Sequence, residues 1–390
     1  MIDGPLASEE ARRASLQALW TFPSILASAF VVAWGAEAAQ FYVSQGLALA
    51  LLAWIQVLPE FAVEAVIAWH RNIPLMTANF TGAIRLLTGL GWPMIWAVYA
   101  LSRRGAPGEA RTIRLDEEHA AEVVGLVPPL LYFGWIIVKG TLDCWDAAVL
   151  LLLYAGYLAV LNRIPPREHE DVEDLARVPL AVIRLPAGPR RLAILGLFAV
   201  GALVLYLTAH PFLNSMIGLA TLLGVSQFVF VQWMAPFLSE FPEFTSTFNW
   251  ARGRGKAGLA LMNMVSSNIN QWTVLAAMIP IVYSLSLGRL SAVPLAEHRV
   301  ELLLTLLQSA LGVVLLSNFN FQAHEALGLL GLWLAQFLVP HWREEVTVPY
   351  AAWLAVELVS MAWRRDRLRA FVVFPTLWHL AARRRPRSGC

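Results

Sequence analysis

Two glutamates that directly follow a proline lie in stretches of sequence that are otherwise apolar. Glu60 ends Leu-Pro-Glu in "WIQVLPEFAVEAV", and Glu243 ends Phe-Pro-Glu in "FLSEFPEFTSTFN". A proline inside a helix removes a backbone donor and clashes with the carbonyl four residues earlier, so carbonyl oxygens are freed. Free carbonyl oxygens beside a carboxylate are suitable ligands for a hard cation. The two stretches therefore predict a pair of cation-binding positions in apolar surroundings.

The composition of the chain is that of a membrane protein. Of its 390 residues 58% are hydrophobic and 14% are charged, whereas a soluble core of this size would need more charge to cover its surface. Apolar stretches long enough to cross a hydrocarbon layer of about 30 Å as helices recur from Leu19 almost to Trp363. The sequence predicts an all-α polytopic membrane protein with ten to eleven transmembrane helices. The ten predicted spans are 18–43, 46–69, 74–101, 119–138, 145–162, 192–222, 224–250, 257–287, 299–318 and 324–341, and the eleventh apolar segment is 346–363.

Several function classes are excluded by what the sequence lacks. The polar gaps between spans are too short for a soluble catalytic domain, and no serine elbow, His-Glu-x-x-His motif or aspartate cluster occurs. The net charge of +2 comes from arginines spread over short connections, so it does not indicate a nucleic-acid partner. Two cysteines give neither a metal-ligand spacing nor a disulfide framework. We expect a protein in a lipid bilayer that is not an enzyme and has no cofactor.

Arginine-rich connections orient the predicted spans. They follow spans three, five and seven, which puts them on one side, and arginine prefers short cytoplasmic loops. We therefore expect the N-terminus outside a cell membrane and the proline-rich, charged linker 163–191 in the cytoplasm. The linker separates a first five-helix unit, 18–162, from a second one, 192–341. The remainder, 346–390, carries arginines after Trp363, and the positive-inside rule predicts that its apolar part crosses the membrane or lies in the interface.

The polar motifs of the two units form a repeat. The Pro-Glu copies are 183 residues apart, and a second polar patch follows each of them about twenty residues later, inside the next span. These patches are "TANFTGAIR" from Thr77 and "LMNMVSSNINQ" from Leu261. Five spans lie between equivalent positions, and an odd number inverts the second unit relative to the first. The sequence thus predicts two inverted five-helix repeats whose broken helices meet at the membrane midplane.

The paired motifs resemble those of the sodium/calcium exchanger superfamily of cation/calcium antiporters. Each repeat of that family carries Gly-Thr-Ser-Leu-Pro-Glu and then Gly-Asn-x-x-Gly-Ser-Asn-x-x-Asn/Asp, and "QVLPE", "SEFPE", "ANFTGA" and "MNMVSSNINQ" are similar to degenerate copies. The resemblance implies a secondary active antiporter for inorganic cations. Such a protein would export calcium or a related divalent cation in exchange for sodium or protons, by alternating access.

Carried over residue by residue, the resemblance implies a set of cation ligands. Glu60 and Glu243 take the positions of the central divalent ligands. Additional ligands are implied at Gln56, Ser239, Glu240, Ser267 and Gln271.

The first repeat departs from the family pattern. A hydroxyl position before Pro-Glu is Val57, the serine of Gly-Ser-Asn is Ala83, and the closing Asn/Asp is Leu87. These changes remove oxygens that the family would use for sodium. Two functions remain open: an antiporter driven by sodium or protons, or a non-transporting, exchanger-like membrane scaffold or sensor.

Two further charges in this region modulate the expected site. Glu64 follows Glu60 by one helical turn, on the same face. Arg85 is about eleven residues from the nearer end of its span, roughly 16 Å along a helix, too deep for its side chain to snorkel. We expect it to pair with Glu240 first or Glu64 second, as a tethered cation in place of sodium. The site would then keep about two free negative charges, which suits one divalent ion or protons.

Overall fold

The computed structural model describes residues 5–42, 57–103, 112–163, 172, 175–253 and 255–383, and these are mostly helical. The helices up to the linker are α1 (Pro5–Leu16), α2 (Ala18–Ala39), α3 (Leu58–Trp69), α4 (Ile73–Leu86), α5 (Trp92–Ser102), α6 (Ala120–Gly125), α7 (Val127–Lys139) and α8 (Cys144–Arg163). The later ones are α9 (Arg177–Ile183), α10 (Ala187–Leu223), α11 (Gln227–Ser239), α12 (Phe241–Arg252), α13 (Ala257–Asn270), α14 (Ala276–Leu287), α15 (Arg299–Leu316), α16 (Ala323–Leu338), α17 (Arg343–Trp363) and α18 (Arg369–Arg383). Short 3₁₀ turns lie at Gln40–Tyr42, Glu117–His119, Ala296–His298, Pro340–Trp342 and Arg365–Leu368.

The predicted all-helical, polytopic fold class is confirmed. Within the described residues, eight helical stretches are long and apolar enough to cross a membrane. They are Glu9–Tyr42, Ile73–Ser102, Glu117–Lys139, Cys144–Arg163, Ala187–Leu223, Ala257–Leu287, Ala296–Leu316 and Glu344–Trp363. Three predicted spans are missing from this set because 46–69 is described only from Val57, 224–250 is broken at Glu240, and 324–341 holds a helix of 16 residues. The number of crossings stays a prediction.

In the second predicted span of each unit, a helix begins at the Pro-Glu motif. Helix α11 ends at Ser239 and α12 begins at Phe241, with Pro242 in its first turn. Helix α3 likewise begins at Leu58 with Pro59 in its first turn, and the residues before Val57 lie outside the described part. Proline has no amide hydrogen to donate, so it fits the first turn of a helix but not its interior. The sequence therefore fixes where each new helix starts.

The helix that follows is also irregular at the same place in both units. Helix α4 runs into a π-helical turn at Leu87–Gly91, and α13 runs into one at Gln271–Leu275. A π-helical turn widens the backbone and often marks a functional site in a helix. The two units thus share a helix start at Pro-Glu and a wide turn in the same order.

Two short antiparallel ribbons join the first unit to the second. Strand β1 (Thr112–Arg114) pairs with β4 (Asn320–Gln322), and β2 (Thr141–Leu142) pairs with β3 (Val293–Pro294). β1 and β4 follow the third and ninth predicted spans, whereas β2 and β3 follow the fourth and eighth. Connections after odd spans lie on one side and connections after even spans on the other. The two ribbons therefore cap opposite ends of the bundle, as two inverted repeats require.

Helix α4 of the first unit and α11 of the second approach each other closely at Gly82. A Cβ atom added to Gly82 of α4 would lie 1.8 Å from the backbone oxygen of Gln232 in α11. Only glycine lets the two backbones approach so closely, because every other residue carries a Cβ atom. At this crossing the backbones of the two units are in direct contact.

The basic tail after α17 returns to the end of the bundle that holds the β1–β4 ribbon. The amide of Ala370 donates to the carbonyl of Ser317 at 2.8 Å, and Arg369 forms an ion pair with Glu117 at 2.6 Å. Helix α16 starts directly after β4 at this same end, and α17 follows α16. The two helices therefore run antiparallel through the same depth, which supports the prediction that the segment 346–363 crosses the membrane.

We expect Gly82→Ala to lower the free energy of unfolding by about 3 kcal/mol, because the added methyl group overpacks a backbone contact. Thermal unfolding of the purified protein measures this change. Gly156→Ala is the matched control, since a Cβ at Gly156 of α8 meets nothing within 4 Å. Equal melting temperatures for the two variants would contradict the close crossing of α4 and α11.

We expect the end of the chain on the cytoplasmic side if α17 crosses. In the Cys144→Ser variant only Cys390 remains, and a membrane-impermeant maleimide should label it after permeabilisation but not in intact cells. Leu290→Cys, in a variant with both native cysteines replaced by serine, is the control for the outer side, because Leu290 is 84% exposed in the connection after the eighth predicted span. Labelling of Cys390 in intact cells would place the tail outside.

Candidate cation site

Glu60 lies in the first turn of α3 and is almost completely buried. Its Oε2 accepts a hydrogen bond from Nε2 of Gln271 at 3.0 Å. Gln271 is the first residue of the π-helical turn in the second unit. The central carboxylate of one unit is thus contacted by an amide from the other.

Glu240 occupies the break between α11 and α12 and is also buried. Its Oε1 accepts from the same Nε2 of Gln271, at 2.5 Å. The Gln271 amide therefore lies between the carboxylates of Glu60 and Glu240, and the two carboxylates are neighbours.

Glu243 lies in the first turn of α12, on the second-unit side of the same cluster. Its Oε1 accepts from Nδ2 of Asn263 at 3.0 Å and from Oγ of Ser267 at 2.7 Å. The charge of Glu243 also acts electrostatically on both Glu60 and Glu240. The structure thus brings the three predicted carboxylates together at the contact between the units.

Glu64 lies one turn further along α3 and has its own donor. Its Oε2 accepts from Nδ2 of Asn79 on α4 at 2.7 Å, and Glu60 acts on it electrostatically. It therefore flanks the carboxylate cluster.

Ser239 is buried next to Glu240, but its hydroxyl is engaged locally. It donates to the carbonyls of Ala235 and Pro236 in its own helix, at 3.0 and 3.3 Å. Only the lone pairs of this hydroxyl are left for a cation. Gln56, another predicted ligand, lies outside the described residues.

Four buried oxygens of this cluster accept no hydrogen bond from any residue that the structure describes. They are Oε1 of Glu60, Oε2 of Glu240, Oε2 of Glu243 and Oε1 of Gln271. A buried acceptor without a donor is rare in proteins, and a cation would satisfy several of these oxygens at once. Across the described ranges, however, no three His, Cys, Asp or Glu side chains are grouped closely enough to hold a metal ion. The carboxylates are close but not converged on one point, and the Gln271 amide contacts two of them.

The predicted partner of Arg85 is wrong. Its Nη2 forms an ion pair with Oε2 of Glu301 on α15 at 2.8 Å, not with Glu240 or Glu64. Helix geometry explains the error. Arg85 is six residues after Asn79, or about 240° further round α4, so it faces α15 when Asn79 faces α3. Glu301 was missed because it lies close to the start of the ninth predicted span, where a charge needs no special explanation.

This correction changes the charge of the candidate site. In the part of the chain that the structure describes, no lysine or arginine forms an ion pair with Glu60, Glu64, Glu240 or Glu243. Arg85 therefore neutralises none of the carboxylates of this cluster. The prediction that pairing with Arg85 leaves about two free negative charges does not apply.

Comparisons with known proteins identify the family and the fold. A family model described as sodium/calcium exchanger protein matches residues 15–162 and 193–340. The crystal structure of the H⁺/Ca²⁺ exchanger CAX is similar with a TM-score of 0.85 and 30% sequence identity, over 94% of this chain and 92% of that one. The sodium-calcium exchanger NCX_Mj shares the fold with a TM-score of 0.52 and 20% identity, over 85% of this chain and 99% of that one. A search of curated proteins gave no match.

We expect Gln271→Ala to destabilise the protein in calcium-free buffer by roughly 1–3 kcal/mol, since two buried carboxylates lose a shared donor. Added Ca²⁺ should reduce this difference, because a cation can replace the amide between the carboxylates. Thermal unfolding with and without Ca²⁺ measures both effects. Ser239→Ala, which loses hydrogen bonds only to its own helix, should change stability less, and a Gln271→Ala variant as stable as the wild type would refute the bridge.

Proposed function

The chain belongs to the sodium/calcium exchanger family of cation antiporters, and we propose that it exchanges calcium, or a similar divalent cation, for protons by alternating access. It would act in a cell membrane, with the N-terminus outside and the linker 163–191 in the cytoplasm. Calcium would leave the cytoplasm as protons enter. The proposed cation ligands are Glu60, Glu240, Glu243, Ser267 and Gln271, together with Gln56 and Ser239, and Glu64 flanks them.

The proposal rests mainly on three buried carboxylates that lie near one another and form no ion pair with a lysine or arginine among the described residues. A single charge at the centre of a transmembrane helix costs about 2.5–3.5 kcal/mol on insertion scales. Two like charges about 5 Å apart repel by about a further 3 kcal/mol at an effective dielectric constant of 20. Such a cluster needs mobile positive charge. A divalent ion balances two of the three carboxylates, and protons can balance each of them when the ion leaves.

Protons suit this site better than sodium. A sodium site is built from several oxygens, and the first repeat has Val57, Ala83 and Leu87 where the family has oxygen-bearing side chains. In the second repeat, Ser239 donates its hydroxyl hydrogen to its own helix. The greater similarity to an H⁺/Ca²⁺ exchanger than to NCX_Mj supports the same choice.

A route from the cytoplasmic side would run along α12. A cavity of about 260 Å³ is lined by Glu37 of α2 and by Pro242, Ser246 and Asn249 of α12, and it reaches the residue before Glu243. Its rim includes residues 175–177, which belong to the linker. Under this proposal the cavity admits the divalent ion to the carboxylate cluster.

The test is Ca²⁺ uptake into proteoliposomes under separately imposed proton and sodium gradients. We expect a proton gradient to drive uptake and a sodium gradient of equal size not to. Glu60→Gln and Glu243→Gln should each lower the initial rate at least about 100-fold, since loss of a buried charged partner costs about 3–5 kcal/mol and each 1.4 kcal/mol is tenfold.

Glu325→Gln is the matched control for these variants. Glu325 is a buried carboxylate of α16 in a capping box, where glutamine is an accepted substitute. This variant should transport at the wild-type rate. Uptake driven only by sodium would overturn the proton coupling. Absence of uptake under both gradients, in folded protein, would favour the non-transporting scaffold.

A further inference from the structure

A second buried polar cluster surrounds Arg85, away from the carboxylate cluster. The arginine cage consists of Thr81 of α4, Gln232 of α11, Glu301 of α15 and Gln336 of α16, and it encloses the guanidinium group of Arg85. Arg85 is fully buried. The residues of the arginine cage come from one helix of the first unit and three helices of the second.

Among the contacts of the guanidinium group with described residues are hydrogen bonds to oxygens of four chemical kinds. They are the carboxylate Oε2 of Glu301 and the amide Oε1 of Gln336, each at 2.8 Å, and the hydroxyl and carbonyl oxygens of Thr81, each at 3.3 Å. Carboxylate, amide, hydroxyl and carbonyl oxygens are also the ligands that hard metal cations prefer. The cage holds one carboxylate, so one positive charge balances it.

The cage is held in place by contacts that do not involve the guanidinium group. Nε2 of Gln232 donates to Oε2 of Glu301 at 3.3 Å and to the hydroxyl of Thr81 at 3.4 Å. Nε2 of Gln336 donates to Oε1 of Gln308 at 3.4 Å. The close crossing at Gly82 fixes α4 against α11 beside them. Removal of the arginine side chain would therefore leave most of the oxygens in position.

We propose that the arginine cage is a monovalent-cation site that the protein fills with its own Arg85 side chain. A covalently attached cation cannot leave or be exchanged, and arginine stays protonated at all physiological pH values. The cage itself follows from its contacts alone. The consequence that exchange requires no sodium at this position rests on the proposed function.

The test is the effect of salts on variants of Arg85. In Arg85→Ala, NaCl or KCl should raise the melting temperature by about 2–4 °C relative to choline chloride at equal ionic strength, because only a small cation can enter the cage. The wild type and Arg85→Lys, whose own charge occupies the cage, should show no such difference.

The double variant Arg85→Ala with Glu301→Gln is the matched control, since it removes both the cation and the carboxylate. It should fold and show no response specific to sodium or potassium. If Arg85→Ala does not yield folded protein in choline, recovery in NaCl or KCl supports the proposal. If folded Arg85→Ala is obtained in none of these salts, the melting temperatures of Arg85→Met in NaCl, KCl and choline chloride are compared instead. Equal stability of these single variants in all three salts overturns the proposal.

This experiment is independent of transport. A salt response in Arg85→Ala with no Ca²⁺ uptake by the wild type would retain the cage and reject the proposed function. Proton-driven Ca²⁺ uptake by the wild type with no salt response in the variants would support the proposed function and reject the cage as a cation site.

Discussion

Carboxylates that are removed from water must find their counter-charges and hydrogen-bond donors within the protein. This requirement shapes the contact between the two units. Glu60 and Glu240 lie at helix starts created by Pro59 and Pro242, and neither is satisfied by its own helix. The amide of Gln271 serves both of them from the wide turn after α13. A polar site at a helix break therefore depends on the irregular helix next to it.

The two buried clusters differ in how the charge of their carboxylates is balanced. Glu301 is paired with a permanent cation, Arg85. Arg85 also donates to the amide oxygen of Gln336 and to the hydroxyl and carbonyl oxygens of Thr81. Among the described residues, the donors to Glu60, Glu240 and Glu243 are neutral, and four oxygens of their cluster accept no hydrogen bond. A fixed counter-charge gives a structural cluster. Its absence leaves a cluster whose charge balance must come from ions that move, which is what a cation exchanger needs.

The inverted repeats are similar in backbone but not in chemistry. Each has a helix that starts at Pro-Glu and a π-helical turn, yet the position one turn after the glutamate is Glu64 in one unit and Thr247 in the other. Asn79 donates to Glu64, one turn after the Pro-Glu motif, whereas Asn263 donates to Glu243, the glutamate of the motif itself. The fold therefore constrains where polar groups lie and leaves their identity free. This freedom lets a site built from two related halves become asymmetric.

The sequence by itself determined the membrane class, the helical architecture, the family and the repeated Pro-Glu motifs. Hydropathy, proline and a recurring motif are local properties, and each can be identified without knowing what lies opposite. Only the tertiary structure decided that Gln271 bridges Glu60 and Glu240, that the hydroxyl of Ser239 turns to its own helix, and that Arg85 pairs with Glu301. These choices depend on how far each helix is rotated about its axis and on which residue, more than two hundred positions away for Arg85, faces it. A rotation of about 240° along α4 separates the face of Asn79 from that of Arg85, and the spacing of charges along the chain does not show which helix each face meets.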